Sequence, residues 1–396
     1  MAGPLEGIRI LDLTWVLSGP FATMVLGDLG AEVVKIERLK VGDIARGNGP
    51  HINGVSTYFV SLNRGKKSVT INLATQKGKE IFLGLVKTAD VVVENFVPGV
   101  MKRLGLDYPA LKEVNPRLIF ASCSGFGQTG PYSSKPALDI IVQSMGGIVS
   151  VTGEQGRPPV KPGASIGDIT AGLFLAVSIL AAIQERHKSG LGQAIDISML
   201  DCQMALQENA FVRYLSTGEV PERLGTRHPV FTPFQVFESS DGYVAIATMG
   251  GAQDQWPIFC SVIGRLDIID DPRFETGWLR TQNYAVLEPI MNAALKSKTS
   301  KEWIKDFEEV SIPCGPVNSI AQVAADPQVA HRNMIVETQH KSGNFKVINS
   351  PIRLSRTPTH VSQGAPELGE NTAEVLKQLL GTTDAEIQQM RDQNII

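Results

Sequence analysis

The sequence has few cysteines, and none of them stands in the paired spacings that metal and disulfide sites use. The four cysteines, Cys123, Cys202, Cys260 and Cys314, are far apart and form no C-x-x-C pair. This spacing argues against a structural zinc site and against a disulfide framework, and it fits a reducing compartment. We therefore expect a cytoplasmic protein.

Long runs of one charge are also absent. The 37 basic and 40 acidic residues nearly balance, so neither nucleic acid nor an anionic membrane surface is expected as a main partner. The N-terminal residues contain no charged segment leading into an apolar one, which predicts no secretory signal. The uncharged run from Ile169 to Gln184 is shorter than a membrane span normally requires.

The sequence does have a large apolar content and a regular alternation of elements. Its 396 residues, of which 43% are hydrophobic, can fill a large core and about two to three domains. The predicted strands are 8–13, 32–37, 68–73, 90–94, 118–122 and 192–198, and the predicted helices are 20–29, 77–86 and 199–216. This alternation predicts an α/β fold with a Rossmann-like, doubly wound parallel sheet, whose ligands bind at the carboxyl ends of the strands.

The composition and the periodicity of the sequence change after the last of these helices, which indicates a domain boundary. Residues 218–235 hold three prolines and show no clear period, as linkers do. We therefore place a large domain at 1–215 and a smaller α+β domain at about 225–325. Within the smaller domain we predict a strand at 241–247, helices at 254–263 and 281–295, and a turn at 313–316.

The segment Gly163 to Asp168 permits two chemistries. Interpreted as a G-x-S-x-G motif, the segment offers Ser165 as the nucleophile of a hydrolase. Such a nucleophile lies on a sharp turn that directly follows a core strand, and the three prolines in residues 157–162 argue against a strand there. Several histidines could serve as the base of such a triad, so the hydrolase stays open; they are His228, His331, His340 and His360. The alternative nucleophile is Asp168, at the start of the predicted helix Ile169–Gln184, where simple N-capping would also explain it.

Three further features concern ligand binding. Residues 125–130 match G-x-G-x-x-G, but the proline-containing segment 131–136 follows instead of a helix, which argues against a dinucleotide site. Arg38 ends a predicted strand and is suited to a phosphate, although an exposed arginine beside Glu37 is equally consistent. The pair Gly250–Gly251 could let the backbone approach a substrate closely, or form a plain turn.

Several landmarks, each weak alone, occur together in a specific order. They are the segments 4–12, 18–20, 30–37, 93–99, 115–119, 125–132, 167–168 and 369–372. In these segments and their order the chain resembles the class III coenzyme A transferases, the family that includes formyl-CoA transferase and carnitine CoA-transferase. The resemblance covers nearly the whole chain.

The resemblance implies a CoA-transferase in which Asp168 is the nucleophile. It implies a mixed anhydride and then an aspartyl thioester on that side chain, with an acyl-CoA donor, a small carboxylic acid acceptor, no metal and no permanently bound cofactor. An aspartate of ordinary pKa near 3.9 would already be ionised at pH 7. Gly250 and Gly251 correspond to a glycine-rich loop that covers the intermediate.

The resemblance also implies contacts and an assembly. The implied CoA contacts are Val16, Leu17, Ser18, Arg38, Asn95, Phe96, Arg103, Lys135, Ala137, Leu138 and Asp139. The family forms interlocked homodimers, in which the segment 330–396, with a helix at Thr372–Leu380, returns to the large domain. Lys135, Arg227 and His228 would suit a dicarboxylic acceptor, and surface charges give the same pattern.

Departures from the family pattern limit these expectations. Ala74 replaces a lysine that relatives often have, which weakens one phosphate contact. Leu17 stands where formyl-CoA transferase has glutamine, so oxalate is not the expected acceptor. The α-methylacyl-CoA racemases share the architecture but need a histidine at the position of Leu138, so transfer is favoured over racemisation. A Ser165 hydrolase and a non-catalytic CoA-binding protein are the remaining alternatives.

Overall fold

A computed structural model describes residues 3–249, 254–361 and 363–396. The chain forms two compact units. Unit 1 contains the described residues up to Ile148, together with Lys161–Gly218 and Pro327–Ile396, and unit 2 contains Val149–Val160 and Glu219–Asp326.

Unit 1 is built on a parallel sheet. Its strands up to residue 218 are β1 Arg9–Asp12, β2 Glu32–Glu37, β3 His51–Ile52, β4 Val55–Ser56, β5 Lys67–Thr70, β6 Val91–Glu94, β7 Ile119–Ser124 and β8 Ala194–Ser198. Six of them form one sheet in the order β5-β2-β1-β6-β7-β8, and every pairing is parallel. The order reverses between β1 and β6, so the crevice for ligands lies beyond the carboxyl ends of these two strands. The predicted α/β fold with a central parallel sheet is confirmed.

Helices cover both faces of this sheet. The helices of the chain up to residue 218 are α1 Ser18–Asp28, α2 Thr57–Asn63, α3 Gln76–Val86, α4 Val100–Leu104, α5 Tyr108–Val114, α6 Asp139–Met145, α7 Ile148–Val151, α8 Ile166–Ser189, α9 Met199–Leu206 and α10 Glu208–Thr217, with a 3₁₀ turn at Ile44–Gly47. Of these, α7 lies mostly in unit 2. Neighbouring strand residues point to opposite faces. Ile10 therefore packs in a core with α1 and α8, whereas Leu11 packs in a core with α3 and α5.

Helix α8 is the central helix of unit 1. Among the described residues it is the one helix long and apolar enough to cross a membrane. It packs against α1, α9 and β7, and Ala171, Leu175 and Ile179 on its inner side are fully buried. Packing in the core therefore explains the apolar composition of α8, because a helix that is buried along one side in a large core is apolar on that side.

Unit 2 is an α+β arrangement. Its elements are β9 Phe234–Glu238, β10 Tyr243–Ala247, α11 Trp256–Val262, α12 Gly277–Gln282, α13 Tyr284–Leu295, α14 Ser300–Glu309, β11 Cys314–Pro316 and α15 Ile320–Ala324, with a 3₁₀ turn at Leu266–Ile268. The antiparallel order β11-β10-β9 places β11 at an edge. The turn predicted at 313–316 is therefore wrong, because an edge strand accommodates proline where a central strand would not.

The C-terminal segment of unit 1 packs on the edge of its sheet. It contains α16 Pro327–His331, β12 Ile335–Thr338, β13 Phe345–Ile348, α17 Thr372–Leu380 and α18 Asp384–Asp392. The Ser68 N–H donates to Asn371 Oδ1 at 3.0 Å, and the Thr70 N–H donates to Thr372 Oγ1 at 3.0 Å. These bonds satisfy β5, the edge strand nearest to α17.

Candidate active site

Two neighbouring cavities of unit 1 lie beyond the carboxyl ends of β1 and β6. The outer pocket, about 510 Å³, is lined by Leu13, Thr14, Trp15, Ile36, Glu37, Arg38, Leu39, Gly42, Asp43, Ile71, Asn72, Leu73, Ala74, Phe96, Val97, Val100 and Leu104. The Asp168 pocket, about 140 Å³, is lined by Trp15, Val16, Leu17, Ser18, Asn95, Phe96, Val97, Pro98, Cys123, Ser124, Gly125, Lys135, Ala137, Leu138, Asp168 and Met199. Trp15, Phe96 and Val97 line both, so the two pockets share a wall.

Asp168 lies in the first turn of α8, and Asp139 holds that turn. Asp139 Oδ1 accepts the N–H of Gly167 at 2.9 Å and that of Asp168 at 3.4 Å. A Cβ at Gly167 would come within 2.9 Å of Asp139 Oδ1 and of a Val142 methyl, so this approach requires glycine. The N-capping explanation for Asp168 is wrong, because the helix starts two residues earlier, at Ile166, and the capping carboxylate comes from another helix.

The surroundings of Asp168 disfavour the ionised form of its carboxyl group. Burial of the carboxyl and the negative charge of Asp139 raise its pKa to about 7, while a hydrogen bond from Ser18 acts in the opposite direction. The expectation of an ordinary, fully ionised aspartate is therefore wrong for this residue. Protonated and ionised forms coexist at neutral pH, because desolvation and a like charge both disfavour the carboxylate.

The loop after β1 forms the side of the pocket facing α1. Asn95 fixes this loop: its Oδ1 accepts the Trp15 N–H at 3.0 Å, and its Nδ2 donates to the Trp15 carbonyl at 2.9 Å. The next residue, Val16, has a left-handed φ of 66°. That conformation is unusual for a β-branched side chain and needs support from its neighbours.

The structure brings most of the predicted CoA contacts to these two pockets. Those lining the Asp168 pocket are Val16, Leu17, Ser18, Asn95, Phe96, Lys135, Ala137 and Leu138. Arg38 lines the outer pocket, and its guanidinium lies 4.9 Å from the Trp15 ring centroid. Arg103 is an exposed residue of α4, the helix that contributes Val100 and Leu104 to the outer pocket. Gly250 and Gly251 lie outside the described residues.

Sequence reasoning missed several lining residues. Trp15 stacks edge-on against Phe96, with ring centroids 5.5 Å apart, and separates the two pockets. Cys123 and Ser124 end β7 on the same wall as Asp168. Their position at the end of a strand could have identified Cys123 and Ser124 as lining residues, because ligands bind at that edge of a parallel sheet. Asp43, six residues beyond β2, offered no such signal.

The residues proposed for a dicarboxylic acceptor fall into both units. Lys135 lines the Asp168 pocket, and its ammonium lies 3.7 Å from the Tyr132 ring centroid. Arg227 and His228 belong to unit 2. Arg227 lies over the Tyr284 ring, and His228 Nδ1 accepts the N–H groups of Val230 and Phe231. These contacts give His228 a structural role in its own turn.

The structure also bears on the Ser165 hydrolase, on the dinucleotide motif and on possible metal ligands. No strand precedes Ser165 in the described segment 152–165, so the hydrolase elbow is absent there. No helix follows the glycine motif directly: turns occupy residues 131–134, and α6 starts only at Asp139. Within residues 3–249, 254–361 and 363–396, no three or more His, Cys, Asp and Glu side chains are grouped to hold a metal ion.

The fold and the site together define an α/β protein that has a carboxyl group of raised pKa, Asp168, at the ligand-binding edge of its sheet. The chain matches the model of CoA-transferase family III over residues 5–372. It is 40% identical over 378 residues to acetyl-CoA:oxalate CoA-transferase of Acetobacter aceti, which covers 95% of this chain and 96% of that protein. It is 38% identical over 395 residues to succinyl-CoA:glutarate CoA-transferase of Mus musculus, covering 99% of this chain and 90% of that one.

A solved structure agrees with the sequence comparison. A CAIB/BAIF family protein from Brucella suis superimposes with a TM-score of 0.85 at 36% identity, covering 96% of this chain and all of that one (100%). The chain belongs to the class III CoA-transferase family and is a CoA-transferase. The family predicted from the ordered landmarks is confirmed.

Proposed function

We propose that the protein transfers CoA from an acyl-CoA donor to a small dicarboxylic acid through covalent intermediates on Asp168. One observation carries the proposal: the Asp168 carboxyl lines the same pocket as eight of the expected CoA contacts. Residues that follow β1 and β6 meet residues of β7 and α8 there, although these segments are distant in sequence. A nucleophile must lie within reach of the bound thioester, and this arrangement meets that requirement.

The proposed reaction is a sequence of acyl exchanges that needs no proton transfer. An Asp168 oxygen attacks the thioester carbonyl, the C–S bond breaks, and CoA thiolate leaves behind a mixed anhydride. The thiolate then attacks the Asp168 carbonyl carbon, forming an aspartyl thioester and releasing the donor carboxylate. The acceptor carboxylate attacks this thioester, and the returning thiolate takes the acceptor acyl group from the second anhydride, which regenerates Asp168.

The outer pocket is the proposed site for the nucleotide part of CoA. Its walls are largely apolar, which suits an adenine ring, and Arg38 at its edge can meet a phosphate in bidentate geometry. Arg103 and Lys135, both exposed, are assigned to the remaining phosphates. Unit 1 is therefore the proposed CoA-binding domain, and residues 330–396 complete it.

A dicarboxylic acceptor is proposed on two grounds. The two relatives described above are named for glutarate and oxalate, both dicarboxylates. Lys135, in the pocket of Asp168, offers a positive charge for the second carboxylate. We assign Gly250 and Gly251 to the loop that covers the intermediate and keeps out water.

We further propose that the working form is a cytoplasmic homodimer. Helix α10 has no buried residues, and several apolar side chains of α8 face outwards, among them Leu173, Phe174 and Val177. Contiguous apolar surface of this kind is typical of an interface. The proposed cytoplasmic location is based on the wide spacing of the four cysteines in the sequence.

A donor and acceptor screen tests the proposed function. Succinyl-CoA is supplied with oxalate, glutarate and acetate, and new thioesters are separated by chromatography. Asp168→Asn should abolish exchange, whereas Ser165→Ala, three residues away in the same turn, should retain it. Peptide mass mapping after rapid quenching should find the acyl or CoA adduct on Asp168. Full exchange by Asp168→Asn would refute the proposal, and α-proton exchange without transfer would indicate a racemase instead.

A further inference from the structure

The turn at Val16 is held by a buried carboxylate from another part of unit 1. The Val16 N–H donates to Asp43 Oδ1 at 3.1 Å, and the Ala45 N–H donates to the same oxygen at 2.9 Å. The other carboxylate oxygen, Oδ2, lies 2.9 Å from Lys35 Nζ. Asp43 and Lys35 are both buried. A buried ion pair with these hydrogen bonds has little freedom to move, so it can hold the left-handed backbone of Val16.

The same lysine fixes the chain just before this turn. Lys35 Nζ donates to the Thr14 carbonyl at 2.6 Å. Lys35 and Asp43 thus secure the backbone on both sides of Trp15, one of the three residues shared by the two pockets. Neither the Lys35 ammonium nor the Asp43 carboxylate is among the groups that line the Asp168 pocket. They can therefore affect that pocket only through the loop that they hold.

Asp43 itself belongs to the wall of the outer pocket. It closes the loop 38–43 after β2, in which Arg38, Leu39 and Gly42 also line that pocket. Within the loop, the Gly42 N–H donates to the Arg38 carbonyl at 3.0 Å, and the Asp43 N–H donates to Glu37 Oε2 at 2.9 Å. Occupation of the outer pocket would therefore restrict a loop that carries the Val16 support.

We propose that Asp43 is a positioning residue that couples occupation of the outer pocket to the geometry of the Asp168 pocket. The inference rests on the proposed function, in which the nucleotide part of CoA fills the outer pocket. Binding that part fixes the loop 38–43, and Asp43 passes the restriction to Val16 through one hydrogen bond. The binding energy of a group remote from the thioester is thereby used to order the reacting site.

Comparison of a full and a truncated donor tests the coupling. The kcat is measured with succinyl-CoA and with succinyl-pantetheine, which lacks the nucleotide, using glutarate as acceptor. Asp43→Ala should slow succinyl-CoA much more than succinyl-pantetheine, so that the advantage of succinyl-CoA falls by about tenfold or more. Asp43→Asn keeps an oxygen for the Val16 N–H and should retain more of the advantage. Equal slowing of both donors would overturn the proposal, since general loss of structure gives that result.

A matched control separates coupling from loss of a buried ion pair. Asp28 is also buried and pairs with Arg64 at 2.6 Å, but it lines neither pocket. Asp28→Ala should lower stability while leaving the ratio between the two donors unchanged. A comparable fall of that ratio in Asp28→Ala would also overturn the proposal.

A second measurement on the unaltered protein needs no turnover and no variant. Binding of 3′-phospho-ADP, the nucleotide part of CoA, is first established by calorimetry. Hydrogen exchange of a peptide spanning residues 14–18 should then slow several-fold when the nucleotide is bound, because the Val16 N–H is more firmly held. Binding without slower exchange would refute the coupling alone. Absence of binding would refute the assignment of the outer pocket, and the coupling with it.

Discussion

At the scale of single residues, the reactivity of Asp168 depends on its neighbour Asp139. The Asp139 carboxylate has two effects: its Oδ1 accepts the Gly167 N–H in the first turn of α8, and its negative charge adds to the effect of burial in raising the pKa of Asp168. A pKa near 7 makes Asp168 a stronger nucleophile when ionised than an ordinary aspartate, because nucleophilicity rises with basicity. In the proposed mechanism, the molecules in which Asp168 is protonated at neutral pH would be inactive.

This balance predicts the pH dependence of the reaction. In the proposed mechanism transfer requires the ionised form of Asp168, so kcat/KM of the natural chain should rise with pH through a midpoint of about 7 and then level off. Asp139→Asn keeps an oxygen for the Gly167 N–H but removes the charge. The pKa of Asp168 should then fall, and the acid limb should move to lower pH by up to about one unit.

The control for this shift is Asp201→Asn. Asp201 is an exposed carboxylate in the first turn of α9, and it is not among the groups that perturb Asp168. Its replacement should leave the acid limb in place. An unmoved limb in Asp139→Asn would show that the charge of Asp139 does not control the ionisation of Asp168.

At the scale of elements, a buried lysine joins three parts of unit 1. Lys66 Nζ lies within hydrogen-bonding distance of four acceptors, which share its three N–H groups: Asp12 Oδ2, the Pro20 carbonyl, Thr23 Oγ1 and Asn63 Oδ1. These acceptors lie at the end of β1, in the first half of α1 and at the end of α2. Burial lowers the pKa of Lys66 to about 8, although the charge of Asp12 acts in the opposite direction. The lysine and Asp12 therefore depend on each other for compensation of their charges.

Removal of this lysine should be far more costly than removal of its neighbour. Lys66→Ala would leave Asp12 buried without its partner, which should lower the free energy of unfolding by about 3–5 kcal/mol. Lys67→Ala removes a partly exposed lysine paired with Glu32 and Glu374, and should cost about 1 kcal/mol or less. Urea unfolding of the two variants measures the difference. Equal losses would show that the buried network contributes no more than a surface pair.

Elements with a strong local pattern could be predicted from the sequence, and those that depend on distant pairing could not. Strand β2 was predicted at its observed bounds because three of its six residues are apolar and Gly30 precedes it. Strand β11 looked like a turn, since its proline and glycine are tolerated only through pairing with β10 at an edge. The predicted helix at 281–295 is interrupted at Asn283, between α12 and α13.

In the candidate site too, features with a local sequence pattern could be predicted, and features that depend on distant contacts could not. Asp168 was found because a glycine and an acid precede a long apolar run, which is a local signal. Its perturbed pKa was not found, because Asp139 is 29 residues away and the approach of the two depends on the packing of α6 against α8. Asp43 was missed for the same reason, as its contact with Val16 spans 27 residues.

At the scale of the whole molecule, unit 1 has an apolar surface that the described part of the chain leaves exposed. Helices α6, α8, α9 and α10 are linked by mutual contacts, and each exposes apolar side chains. The exposed residues are Ile140, Ile141, Met145, Leu173, Phe174, Val177, Met204, Leu206, Val212, Tyr214 and Leu215. Isolated helices of this length are marginal in water, so α10, which has no buried residue, needs a partner surface.

This surface predicts how the protein assembles and how the assembly fails. Light scattering coupled to gel filtration should give twice the mass of the 42.8 kDa chain. Val177→Asp and Leu215→Asp place charges on the apolar face and should each raise the dissociation constant by about tenfold or more, because a buried unpaired charge costs several kcal/mol. Leu266→Asp, at an exposed leucine of unit 2, is the control and should remain dimeric. The melting temperature should rise with concentration in the natural chain, since association stabilises the folded form. A monomer at all concentrations would mean that α10 is stable without a partner, and the dimer would have to be abandoned.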